Sequence, residues 1–125
     1  MSALEIGEIM VDRVGKGRES EEAFVAEYYA DDIVSVEGQG SDEMPARLEG
    51  IDAIRGKHEW WYANHDVHSV TVEGPYVGNR EDQFALTFTL DATPKDGERM
   101  QMQEVALITV KDGKVVQEEF LYRMG

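Results

Sequence analysis

Cysteine is absent from the 125 residues. That excludes disulfides, a thiolate nucleophile and any cysteine-ligated metal, and it suits a reducing compartment. No apolar run approaches the length of a membrane span, and the opening MSALEIGEIM lacks the basic start and long apolar stretch of a secretory signal. A cytoplasmic location is expected, with no membrane partner. Cations are scarce: 12 Lys and Arg stand against 26 Asp and Glu, a formal charge of −14. So anionic a chain repels the phosphates of nucleic acid, and none is expected as a partner. Scarcity also makes any cation set among apolar residues worth following.

What remains is ordinary for a globular protein: 42% hydrophobic and 30% charged residues, without repeats or low-complexity tracts. The length suits one domain, residues 1–125, with a substantial core. ALEIGEIMVDRVGKG places Ile6, Ile9, Met10 and Val14 on one helical face, ended by glycines. Ser20 with Glu21 and Glu22 reads as the cap of a second helix through Tyr29. Ile33 to Glu37 reads as a short strand and GQGSDEMPARLEG as a loop. A third helix, from about Ile51 to His65, gathers Ile51, Ile54, His58, Trp61, Tyr62 and His65 on one face. Trp61 is therefore expected to be buried and Trp60 more exposed.

After that helix the period becomes two. Strands are expected over Val67–Val77, Gln83–Ala92, Arg99–Val110 and Lys114–Met124. VKDGKV is a hairpin signal with Asp112-Gly113 at the turn, and Gly74-Pro75 suggests a bulge or an edge. Helices followed by an antiparallel meander make an α+β domain, with helices on one side of a bent sheet. Such a concave interior is where a pocket forms.

YYADDIVSVEG after an amphipathic helix pair, LEGIDAIRG opening the third helix and VKDGKVVQEEFLY as closing hairpin carry a resemblance. In these the chain resembles the SnoaL-like proteins of the nuclear transport factor 2-like superfamily, and more distantly ketosteroid isomerase. The resemblance implies a cone-shaped half-barrel: three N-terminal helices packed on a strongly bent, mainly antiparallel sheet. It implies a cofactor-free pocket for a compact apolar carbonyl or hydroxyl compound, with isomerase, cyclase or dehydratase chemistry. A non-catalytic binding or assembly module on the same fold is the alternative, and a homodimer through the sheet is expected.

Residue by residue, the isomerase base maps onto Glu37, five positions beyond Asp32. The oxyanion tyrosine maps close to Arg13, and the oxyanion aspartate onto Gln103 or Glu104. Arg13 lies in the apolar face of the first helix, either snorkelling to water or forking onto an internal acid. Glu104 shares a strand face with Met100, Met102, Ala106 and Ile108, unless a bulge turns it outward. His58 is either a packed core residue or a proton carrier. Glu37, Arg13 and His58 are thus the catalytic candidates, with Glu37 expected within reach of Arg13, His58 or Glu104. Trp61, Met102, Phe84, Phe88, Tyr28, Gln103 and Glu104 are the candidate substrate contacts. The histidines of HDVH, with His58, do not have the spacing of a metal site, and no metal or cofactor is expected.

Overall fold

The computed structural model describes residues 1–122. Helix α1 (Ala3–Val14) starts in a capping box, where the Glu5 amide donates to the Ser2 hydroxyl and the Ser2 amide to the Glu5 carboxylate. Helix α2 (Arg18–Tyr28) begins two residues before the expected Ser20. Gly17, at φ +117°, turns the chain there with no side-chain cap. Strand β1 (Tyr29–Val36) follows directly. The segment expected to be all loop contains a short strand, β2 (Arg47–Glu49), paired antiparallel with β1. Helix α3 (Ile51–Asn64) leads into four long strands: β3 (His65–Tyr76), β4 (Gln83–Pro94), β5 (Met100–Lys111) and β6 (Lys114–Leu121). Arg123 and Met124, part of the last expected strand, lie outside the described residues.

The six strands run in the order β2-β1-β6-β5-β4-β3. Every pairing is antiparallel except β1 with β6. The result is an α+β cone: a curled, unclosed sheet with three helices on its concave side. Asp112 and Gly113 take φ 52° and 76° in the β5–β6 turn, as its Asp-Gly pair predicts. Between Glu73 and Tyr76 the β3–β4 register shifts, a bulge at Gly74-Pro75.

The core fills the narrow end. Ile6 and Met10 of α1 and Phe24 of α2 pack on Phe84, Leu86, Ala106 and Ile108 of the sheet. Gly7 lets α1 approach closely, since a Cβ there would lie 2.9 Å from Pro75 and 3.1 Å from the Phe84 ring. Toward the other end the same strand faces are left uncovered, and a cavity opens.

Candidate functional site

The cavity has a volume of about 360 Å³. Its sheet wall carries Phe88, Leu90, Met102, Glu104, Phe120 and Tyr122, and its helix wall carries Glu21, Phe24, Lys57, His58, Trp61 and Tyr62. The β1–β2 loop contributes Gln39 to Ser41 and Met44 at the mouth. This is a mostly apolar vessel with a few convergent polar groups, the usual form of a small-molecule site.

Its floor is an ion network around one lysine. The Lys57 ammonium donates to Ser35 Oγ at 2.8 Å, Glu37 Oε1 at 2.9 Å and Glu118 Oε1 at 3.4 Å. It also sits 4.7 Å from the centre of the Phe120 ring. The Tyr29 hydroxyl donates to the other oxygen of Glu118. Side-chain exposure is 10% for Lys57, 20% for Glu37 and 1% for Glu118, so these charges interact away from bulk water. Burial alone pulls the Lys57 ammonium down, but Glu118 and Glu37 outweigh it and hold it above the ordinary lysine value. Burial pushes Glu118 up, yet Lys57, His58 and the hydroxyls of Tyr29 and Ser35 keep it below the usual carboxylate range. Tyr29, buried beside Glu118, is raised well above a normal tyrosine and stays a donor. The network is closed in hydrogen bonds, with the single ammonium of Lys57 shared between two carboxylates.

Glu104 is different. It projects from β5 into the cavity with no hydrogen-bond partner among the described residues. Burial, then the charge of Glu37, raises its pKa to about 7, and the attraction of Lys57 does not cancel them. A carboxyl poised there exchanges its proton readily at neutral pH. Across the cavity Glu21, raised mainly by burial, lies 3.7 Å from His58 Nδ1 and accepts from the Tyr62 hydroxyl at 3.4 Å. At the mouth Tyr122 donates to the Gln39 carbonyl at 3.3 Å; burial and nearby Glu37 push its phenol to about 12.

The cavity thus brings together Glu37, His58, Trp61, Glu104, Met102 and Phe88 of the sequence-derived candidates. Four others lie outside it. Arg13 turns away to pair with Glu27 at 3.0 Å, its side chain 35% exposed, so it neither meets Glu37 nor serves as an internal cation. Its flank of α1 faces α2 and solvent, where a guanidinium keeps its hydration. Phe84 is buried, but under α1 beside Gly7. Gln103 occupies the outer face of β5, as alternation with the inward Glu104 requires. Tyr28 packs on Phe24 at 4.9 Å between centroids, on the core side; the adjacent Tyr29 takes the cavity position. Trp61 is only half-buried, and so is Trp60. The β1–β2 loop lies against α3, where Trp60 Nε1 donates to Glu43 at 3.3 Å, and Trp60 too borders the cavity. His58 and His65 both border the cavity, His65 stacked on Trp61 at 3.7 Å, while His68 meets Thr93 on the surface.

Lys57, Tyr29, Glu118, Glu21 and Tyr122 escaped the sequence reading. Lys57 had a signal, for it stands three residues after buried Ile54 and four before Trp61 in a chain poor in cations. Glu118 had none. Strict alternation from Val115 would turn Glu119 inward, but a register shift between Thr109 and Val110 moves Glu118 to the buried face.

The family model for the SnoaL-like domain matches residues 2–122. A crystal structure from Mesorhizobium loti, described as a candidate SnoaL-like polyketide cyclase, is 42% identical with a TM-score of 0.87 over 98% of this chain and 100% of that one. A candidate isomerase from Bacillus subtilis is 18% identical with a TM-score of 0.71, over 97% and 86% of the two chains. A Xanthomonas campestris protein of unknown function with a cystatin-like fold is 12% identical with a TM-score of 0.77, over 99% and 92%. The last two share the fold alone. No curated protein matches the chain significantly. No helix among the described residues is long and apolar enough to cross a membrane. The extent of the model match and the 42% identity over full length lead to one statement: the chain belongs to the SnoaL-like domain family.

Proposed function

We propose that the protein is a cofactor-free acid/base enzyme of the isomerase or cyclase type, acting on a compact apolar carbonyl compound. The observation that carries this reading is Glu104: a cavity carboxyl without a partner among the described residues, raised to about 7. Ionised, it takes a proton from the carbon beside a carbonyl, and the electron pair moves onto the oxygen. His58, facing the cavity from α3, donates a hydrogen bond to that oxygen. Where the substrate carries a β,γ double bond, protonated Glu104 returns the proton to the γ-carbon of the resulting dienolate, which shifts the double bond into conjugation and completes an isomerisation with no co-reactant. A pKa near the working pH suits both halves of that cycle. Glu37, at the family's base position, is held by Lys57 and serves the floor instead.

The test is solvent deuterium exchange into a panel of small cyclic ketones, followed by NMR. The wild type should accelerate exchange at carbons next to the carbonyl, and Glu104→Gln should lose at least about 100-fold of that acceleration. Equal exchange by both proteins, or none by either, would sink the proposal.

The occupied state of Glu37 favours a second reading, a binding module with no turnover. Ligand binding unaccompanied by exchange in the same panel would support it. The absence of cysteine supports a cytoplasmic setting. Exposed Val105 and Leu121, paired across β5 and β6 on the outer sheet face, support a second copy of the chain as partner there.

A further inference from the structure

We infer that the cavity is built for a cationic ligand, an apolar amine with its ammonium beside Glu104 and its hydrocarbon body among the aromatic walls. The inference rests on the proposed reading that Glu104 faces the ligand; an amine seated there occupies the site as a bound ligand rather than as the carbonyl substrate, since its ammonium pairs with the carboxylate.

Among the described residues the charged groups facing the cavity do not balance. Four carboxylates line it: Glu21 from α2, Glu37 after β1, Glu104 from β5 and Glu118 from β6. Against them, among the described residues, stand one ammonium, Lys57, and the imidazoles of His58 and His65, all from α3 or its end. Lys57 is already shared between Glu37 and Glu118. His58 faces Glu21. That leaves Glu104 without a counter-charge among the described residues, and Tyr29 and Tyr122, both held protonated, bring no positive charge to it. A bound anion would add a charge to a cavity already in deficit; a cation would complete it.

The walls agree. Trp60, Trp61, Tyr62, Phe120 and Tyr122 surround the space, and aromatic faces attract organic cations. Lys57 over Phe120 and Arg18, 4.7 Å from the centre of the Tyr62 ring, already use this attraction. Outside, the net charge of −14 attracts cations to the molecule as a whole.

The sign of the pH dependence follows. A cation stabilises ionised Glu104, so binding tightens as pH rises through about 7 and releases a proton. Lys57, held above its ordinary value, and Glu118, held below its own, keep their charges across that range.

Isothermal calorimetry with phenylpropylamine, phenylpropanol and phenylpropionate tests this with one frame in three charge states. At pH 8 the amine should bind at least tenfold more tightly than the alcohol, and the carboxylate should give no detectable heat. At pH 6 the amine's advantage should shrink, and in Glu104→Gln, its fold checked by circular dichroism, it should vanish. An alcohol equal to or tighter than the amine at pH 8, measurable binding of the carboxylate, or no binding of any probe would overturn the inference. Ketone exchange that depends on Glu104 without an amine preference would overturn this inference alone. Amine preference without exchange would overturn only the proposed catalysis.

Discussion

Strands β4 and β5 present two ends of one face, and the two ends have different fates. At one end Phe84, Leu86, Ala106 and Ile108 are buried under α1. At the other, Phe88, Leu90, Met102 and Glu104 border the cavity. The alternation of residue types along the strands is continuous through both. Only the cover differs: α1, seated close at Gly7, packs tightly on the first end, whereas at the second it contributes only Met10 and Val14 to the cavity wall. A pattern of period two therefore states which side faces in, without stating whether that side meets a helix or a ligand.

The comparison can be broken most severely at the network between the two ends. Lys57→Met leaves Glu118 and Glu37 facing each other without their cation, and urea unfolding at pH 7 should register a loss of about 3–5 kcal/mol. Lys57→Met with Glu118→Gln should recover part of it; a fully additive loss would show the network to be uncoupled.

Truncating matched phenylalanines sharpens the contrast. Phe84→Ala opens a void in close packing and should cost about 3–5 kcal/mol. Phe88→Ala merely enlarges an existing cavity, so its loss in the same denaturation series should be about half as large. Equal losses would mean that the two ends are equally packed.

Smaller and opposite in sign is Glu104→Gln. A carboxyl raised from 4.5 to about 7 by folding weakens the folded state progressively as pH climbs between those values. Its removal should therefore stabilise the protein by about 1–3 kcal/mol at pH 8 and leave stability at pH 4 nearly unchanged. A stability difference independent of pH would contradict the burial of the charge. Least of all, Arg13→Met removes an exposed ion pair with Glu27 and should shift stability by less than about 0.5 kcal/mol.

The fold was legible because its signals are repetitive. The period of 3.6 in α1, the alternation in β4 and the Asp-Gly turn each repeat one message over several residues. The site was legible only where it coincided with them: Glu104 by alternation, His58 and Trp61 by helical phase, Glu37 by family position. It failed where single events decide. A register shift turned Glu118 inward, the start of β1 at Tyr29 rather than deeper in the chain exchanged Tyr29 for Tyr28, and a cap-free glycine start moved α2. Arg13 failed for a reason of energy, since Glu27 offered its charge a wet partner that the cone interior did not match.

Strand β6 has a consequence for how this molecule assembles. Among the described residues it alone joins the β1–β2 pair to the β3–β4–β5 meander; its parallel pairing with β1 sets Tyr29 against Val115, and the Tyr29 hydroxyl bond to Glu118 spans 89 residues. Until it docks, the chain holds two unconnected sheet fragments, and the lysine of α3 has only half of its carboxylate company. Contacts so distant in sequence form late and slowly. The cavity floor should thus be the last part of the protein to become native, and hydrogen exchange during refolding should protect the β4–β5 amides before those of β1.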